Sequence, residues 1–227
     1  MIVSIHQPNL FPWLGFFDKM AHSDMMILLD TVPFRKRSYQ NRVKIKTPNG
    51  AQWLTVPVET KGKFAQLTKD VKVSDTINWK EDHQKMFQLF YSRSDHFDEL
   101  FPQLESLYEE FHGDKLIDFT IPGIEWTKKQ LGIETPLVTA SSLGVNGKKS
   151  ELLSDLVKSV GGTTYLSGPT GKDYLEHDIF AEKGIQVDYH SFSIFEYPQL
   201  FNAFEGGLST IDYLFNVKRN TPWNGGE

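Results

Sequence analysis

Cysteine is absent from the 227-residue chain, which removes disulfides, thiolate nucleophiles and cysteine-based zinc sites and fits a reducing, cytoplasmic setting. No apolar run approaches the roughly 20 residues that a membrane-spanning helix needs. The first apolar run begins at Ile2 with no charged leader before it, so neither a membrane span nor a signal peptide is expected. A basic excess is also lacking: the formal net charge is −5 and the isoelectric point is near 5.8, which argues against nucleic acid as a partner. The histidines at 22, 83, 96, 112, 177 and 190 show no H-x-x-x-H or H-E-x-x-H spacing, so no metal site is expected. A G-x-S-x-G elbow is missing, which disfavours a serine hydrolase, and there is no internal repeat.

What is present is enough core for one domain, with 39% hydrophobic and 13% aromatic residues. Residues 2–46 organise the chain. An apolar run holding Ile2, Val3 and Ile5 is followed by His6, Gln7, Pro8 and Asn9. Phe11, Leu14, Phe17 and Ala21 then recur at helical spacing, and a second apolar run from Met25 to Leu29 ends at Asp30. Strand, polar elbow, helix and strand predict a βαβ unit with buried parallel strands. The helix is expected to begin just beyond Asn9, with Pro12 in its first turn.

A turn at Thr47-Pro48-Asn49-Gly50 precedes an alternating strand from Gln52 to Val58. From about 75 to 132 the pattern is helical. Trp79, His83, Phe87 and Phe90 share one face; so do Phe97, Leu100, Phe101, Leu104 and Tyr108, while Pro122 and Gly123 interrupt a third segment. Strands then return at 136–139, 164–166 and 185–189, with a helix at 150–160. The expected fold is α/β, a mainly parallel sheet with helices on both faces and a helical insertion. One domain would cover 1–217, with 218–227 a disordered tail.

Open α/β sheets bind ligands beyond the carboxyl ends of their strands. His6 and Asp30 occupy two such ends and are the candidate catalytic groups, because imidazole titrates near neutrality and a carboxylate can accept a hydroxyl or amine proton. Gln7 and Asn9 lie beside them as candidate substrate-binding residues. The cationic block Arg35, Lys36, Arg37, Arg42, Lys44 and Lys46 follows directly, which points to a small anionic ligand. Lys36, Lys44 and Lys46 alternate as the solvent face of a strand would. Arg37 and Arg42 are therefore the candidates to grip phosphate or carboxylate with a planar two-donor fork, with Gln40 and Asn41 adding hydrogen-bonding groups.

Lys149 stands in the segment Gly144 to Ser150 between a strand and a helix, where backbone N–H groups and a lysine can cradle phosphate. The segment is not a Walker A motif, since an extra lysine separates Gly147-Lys148 from Ser150. Ser167, Gly168 and Tyr174 belong to a second glycine loop that allows close backbone approach to a ligand. These residues spell out no cofactor; a nucleotide carrying magnesium is the one that an anion-binding pattern leaves open. Oligomeric state is not legible.

The stretch HQPNLFPWLGFFDKM at 6–20, with KRSYQNR at 36–42, YLSGPTGKDYL at 165–175 and LSTIDYLF at 208–215, resembles the WbqC-like family from the first strand to about Asn216. The resemblance implies a bacterial protein associated with O-antigen and other surface-polysaccharide gene clusters. The corresponding expectation is an enzyme that transfers a small acyl or aminoacyl group to a nucleotide-linked amino sugar. The alternative is a non-catalytic protein that binds a sugar nucleotide for a biosynthetic partner. The opening elbow is also similar to that of the HIGH-type nucleotidylyltransferases, but H-x-G-H and K-M-S-K-S are both missing, so that likeness concerns fold alone.

Overall fold

The computed structural model describes residues 1–201, 203–217 and 223. The chain opens with β1 (Ile2–His6), α1 (Leu14–Ala21) and β2 (Met25–Leu28), then a hairpin of β3 (Arg42–Thr47) and β4 (Gly50–Thr55). Three helices follow, α2 (Trp79–Tyr91), α3 (Phe97–Glu110) and α4 (Ile117–Gln130). The alternating part resumes with β5 (Leu137–Thr139), α5 (Lys149–Ser159), β6 (Thr164–Ser167), α6 (His177–Glu182), β7 (Gln186–Tyr189) and finally α7 (Thr210–Asn216). The main sheet has the order β5-β2-β1-β6-β7 and the hairpin forms a separate two-stranded sheet. Every neighbouring pair in the main sheet is parallel.

The alternation of side chains along each strand assigns the helices to two faces. Val3, Ile5 and Ile27 pack with Leu152, Leu156 and Val157 of α5 and Phe180 of α6. Met26 and Leu28 point the other way, into a core shared with Phe17 and Met20 of α1 and Ile124 of α4. Fully burying a side chain of this kind stabilises the fold by about 1.5–3 kcal/mol. On the α1 side Ser4 replaces an apolar residue, and its hydroxyl accepts from the Ser23 hydroxyl at 2.8 Å, so the buried polar group is satisfied.

The α2–α4 segment packs by its aromatic face. Trp79 and Phe119 have ring centroids 5.0 Å apart, and Phe119 meets Phe11 at 5.6 Å, which joins this layer to the segment behind β1. Pro122 sits inside the continuous helix α4 rather than ending it; burial of Phe119, Ile124 and Thr127 on one face outweighs the missing N–H. At α7, Ser209 caps the first turn by accepting from the Ile211 N–H at 3.2 Å.

Two boundaries differ from the sequence expectation. Helix α1 begins at Leu14 rather than just beyond Asn9, because Phe11 takes a φ of 38°, outside the helical region, and Pro12 gives its carbonyl to the Thr210 N–H at 3.0 Å. Strand β4 ends at Thr55, three residues before the alternation stops, and Val58 pairs with Val73 as an isolated bridge instead. The proposed disordered tail lies outside the described residues except for Trp223, which is buried. Among the described residues no helix is long and apolar enough to cross a membrane.

Candidate functional site

Strand order runs outward from β1 to β2 and β5 on one side, and returns to β6 and β7 on the other. The reversal falls between β1 and β6, so a crevice opens where their following loops diverge to opposite faces. A cleft lies at that point. Its larger lobe, about 430 Å³, is lined by His6, Gln7, Lys19, Arg35, Lys149, Tyr165, Gly168, Thr170 and Tyr174. A smaller lobe, about 180 Å³, shares His6, Lys19, Gly168 and Thr170 and adds Trp13, Phe16, His190 and Phe192. The larger lobe already falls in the range of small-molecule sites, about 300–1,000 Å³.

His6 ends β1 and packs its ring edge-on against Phe16 at 4.9 Å. Its Nδ1 lies 2.9 Å from the Gln7 carbonyl oxygen. A carbonyl only accepts, so Nδ1 carries the hydrogen and Nε2 the lone pair. Burial, and next the charge of Lys19, push the His6 pKa down to about 3. His6 is therefore a neutral imidazole that offers an acceptor to the cleft.

Lys19 follows Phe16 by three positions on α1, so the two share one helix face. It is buried, and its ammonium donates to the Ile5 carbonyl oxygen at 3.1 Å. Burial pulls its pKa down to about 8. Lys149 begins α5 with a φ of 51°, a left-handed conformation that a β-carbon makes costly. Together with Arg35, these residues line the larger lobe with three cationic side chains and, among the described residues, no carboxylate.

Of the residues singled out from sequence, the fold brings His6, Gln7, Lys149, Gly168 and Tyr174 together on the cleft. Ser167 is buried at the end of β6, with its hydroxyl donating to the Gly168 carbonyl at 3.2 Å. Asn9 is buried behind the elbow. Asp30 ends beside β1 as expected, since His6 pairs with Leu28 in the parallel register. Its carboxylate, however, is fully buried and accepts from the backbone and hydroxyl of Ser141, which lies in the turn after β5.

The basic block separates by position. Arg35 reaches the cleft. Arg37 is exposed on a left-handed turn residue with φ 58°, and the Arg42 guanidinium lies over the Trp53 ring at 4.0 Å. Neither lines either lobe. Gln40 and Asn41 brace the loop: Gln40 accepts from the Arg35 backbone N–H at 3.0 Å, and Asn41 donates to the Val56 carbonyl at 2.9 Å.

Lys19, Tyr165, Thr170 and His190, with Trp13, Phe16 and Phe192 of the smaller lobe, are among the cleft residues that sequence reasoning missed, and Arg35 was named in the basic block but passed over for Arg37 and Arg42. Lys19 was detectable as a lysine on the apolar face of a short helix. His190 carried no such signal, because its partner Asp18 lies on α1.

Asp18, His22 and His190 place their donor atoms within 4.8 Å of one another, an arrangement that could hold a metal ion. In this structure each of the three side chains takes part in a hydrogen bond. His190 Nε2 donates to Asp18 Oδ2 at 2.6 Å, the Trp223 indole N–H donates to Oδ1 at 3.1 Å, and His22 Nδ1 donates to the Asp18 carbonyl at 2.8 Å.

No solved structure gives a significant match to the chain. A protein of Mycobacterium tuberculosis (strain ATCC 25618 / H37Rv) described as "Uncharacterized protein Rv1507c" is 34% identical over 221 residues, covering 97% of this chain and 95% of that protein. The model of the WbqC-like protein family matches residues 7–222. With that coverage, and with the 6–20 and 165–175 motifs forming the two sides of the cleft, the chain belongs to the WbqC-like protein family.

Proposed function

We propose that this protein is a transferase of surface-polysaccharide biosynthesis that binds a nucleotide-linked amino sugar in the cleft and transfers a small acyl or aminoacyl group to its amine in the cytoplasm. One observation carries the reading: at the reversal of strand order the larger lobe presents Lys19, Arg35 and Lys149 with no opposing carboxylate among the described residues. Such a lobe favours a phosphorylated ligand, and fixed cations there would also stabilise negative charge developing on a transferring carbonyl or its leaving group. A nucleotide that arrives with magnesium would bring its own counter-ion.

His6 Nε2 is the acceptor for the proton that the attacking amine must lose. In the step, the amine nitrogen bonds to the carbonyl carbon of an activated acyl donor. The bond from that carbon to its leaving group breaks, the electron pair departs with the leaving group, and the proton passes to Nε2. The His6 pKa of about 3 belongs to the cleft without a bound anion; a phosphate beside Lys19 offsets the lysine charge and raises it. Asp30 acts here by fixing the turn after β5 rather than by touching substrate.

The same low pKa favours a second reading, a non-catalytic sugar-nucleotide-binding protein, since a general base works best with a pKa near the operating pH. A melting-temperature panel of nucleotides and nucleotide sugars, followed by mass spectrometry of the best ligand incubated with activated acyl donors, separates the two. Stabilisation together with a mass increase on the sugar supports the transferase. Stabilisation with no product from any donor supports the binding protein, and no stabilisation by any phosphorylated ligand removes both.

A further inference from the structure

Lys19 stands apart from the other cations of the cleft. Its residue is 5% exposed, and it makes no ion pair among the described residues. An ammonium has three hydrogens to donate, and among the described residues it donates to the Ile5 carbonyl alone. The carboxylate adjacent in sequence, Asp18, is committed to His190 and Trp223. A buried charge without a counter-ion opposes folding, and such a cost is commonly carried at a functional site. Lys19 also borders both lobes, so it marks the waist of the cleft.

The two lobes differ in character. Arg35 and Lys149 line the larger one. The smaller one is walled by Trp13, Phe16 and Phe192, with Trp13 and Phe192 edge-to-face at 5.4 Å. Aromatic walls of this kind suit the C–H face of a pyranose ring, and a volume of about 180 Å³ suits one ring rather than a nucleoside with its phosphates.

Resting on the reading of the cleft as an anion site, we propose that Lys19 binds the diphosphate of a nucleoside-diphosphate sugar at the waist. The nucleoside then extends into the larger lobe and the sugar ring into the aromatic one. This assigns the ligand class, its direction in the cleft and the residue that anchors it.

Calorimetric titration of the full-length protein with inorganic pyrophosphate, UDP and UDP-N-acetylglucosamine tests the assignment, using Lys19→Met, Phe192→Ala and, as a surface control, Lys36→Ala. UDP is expected to bind the parent and Lys36→Ala alike and Lys19→Met at least tenfold more weakly. UDP-N-acetylglucosamine is expected to bind more tightly than UDP, with that margin lost in Phe192→Ala while UDP affinity is retained. Ligand-free Lys19→Met should melt at or above the parent temperature, because an uncompensated buried charge has gone. Equal UDP binding by parent and Lys19→Met overturns the assignment and leaves the anion cleft standing. A Lys19→Met protein that melts far lower or fails to fold makes Lys19 a structural strut, which also overturns it. If none of the three probes binds the parent, the anion reading itself falls.

Discussion

The carboxylate of Asp18 accepts a hydrogen bond from His190 Nε2 at 2.6 Å, joining α1 to the residue that follows β7. Both side chains are largely shielded, at 4% and 9% exposure, and Trp223 holds the second carboxylate oxygen at 3.1 Å. The contact closes the wall of the aromatic lobe, since His190 and Phe192 lie on it together. Burial acts to raise the Asp18 pKa, but the bonds from His190 and Trp223 and the nearby His22 prevail and hold it below its ordinary 3.8.

Asp18→Asn is expected to destabilise the protein by about 1.5–3 kcal/mol at neutral pH, the usual scale for a hydrogen bond to a charged group. Because the folded-state pKa is depressed, this contribution is present above the unfolded value of 3.8 and is lost as pH falls through the lower folded value. Urea unfolding of parent and variant checks it: the gap between them should be full at pH 7 and shrink below pH 3.8.

His83 makes a separate pH prediction. It is buried, with Nε2 donating to the Thr55 carbonyl at 3.0 Å and Nδ1 accepting from the Tyr108 hydroxyl at 3.1 Å. Burial pushes its pKa from 6.5 down to about 4. The unfolded chain binds that proton first, so stability falls as pH drops from 6.5 towards 4 and levels below it. The loss is on the order of 3 kcal/mol. In His83→Gln the loss across this window should be smaller by about that amount. His6, shifted the same way, contributes to the slope that remains.

Gly15 underlies Trp13. A β-carbon at this position would lie 2.5 Å from the Trp13 ring, which is closer than packed atoms come. Gly15→Ala should therefore displace the indole from the aromatic lobe, lowering the melting temperature and weakening nucleotide-sugar binding more than binding of the nucleotide alone. Unchanged selectivity between the two ligands would show that Trp13 does not shape that lobe.

The basic loop offers a comparison at constant charge. Arg35 lines the cleft, whereas Arg37 is exposed outside it. Arg35→Lys should weaken UDP binding about tenfold or more, because an ammonium cannot reproduce the planar fork, while Arg37→Lys should leave it unchanged. Isothermal titration distinguishes them, and the reverse order would move the anion site onto the outer loop.

The parts of this molecule legible from sequence were those written in local pattern. Two apolar runs around an amphipathic helix specified β1, α1 and β2, and with them the neighbouring ends that carry His6 and Asp30. Ser209 with Asp212 has the spacing of an acidic capping box, and Ser209 caps α7 by accepting from the Ile211 N–H. What sequence could not show depended on three-dimensional neighbours. Asp30 looked free for chemistry until Ser141, 111 positions away, took both of its oxygens. Arg37 and Arg42 stood out in the basic block by residue type, but the loop braced by Gln40 and Asn41 brings Arg35 to the cleft instead, while Lys46, expected on a solvent face, is buried. Lys19 carried a signal, as a lysine on the apolar face of a helix, but its burial did not, because such a lysine is ordinarily drawn out to solvent.

A crystal structure grown with UDP-N-acetylglucosamine is the decisive measurement of whether a nucleoside-diphosphate sugar occupies the cleft at the reversal of strand order. Phosphate density is expected within hydrogen-bonding reach of Lys19 and Lys149, with the sugar ring against Trp13 and Phe192. Ligand bound elsewhere, such as in the open groove beside Trp126 and Gly132, or a vacant cleft at saturating ligand, would contradict it.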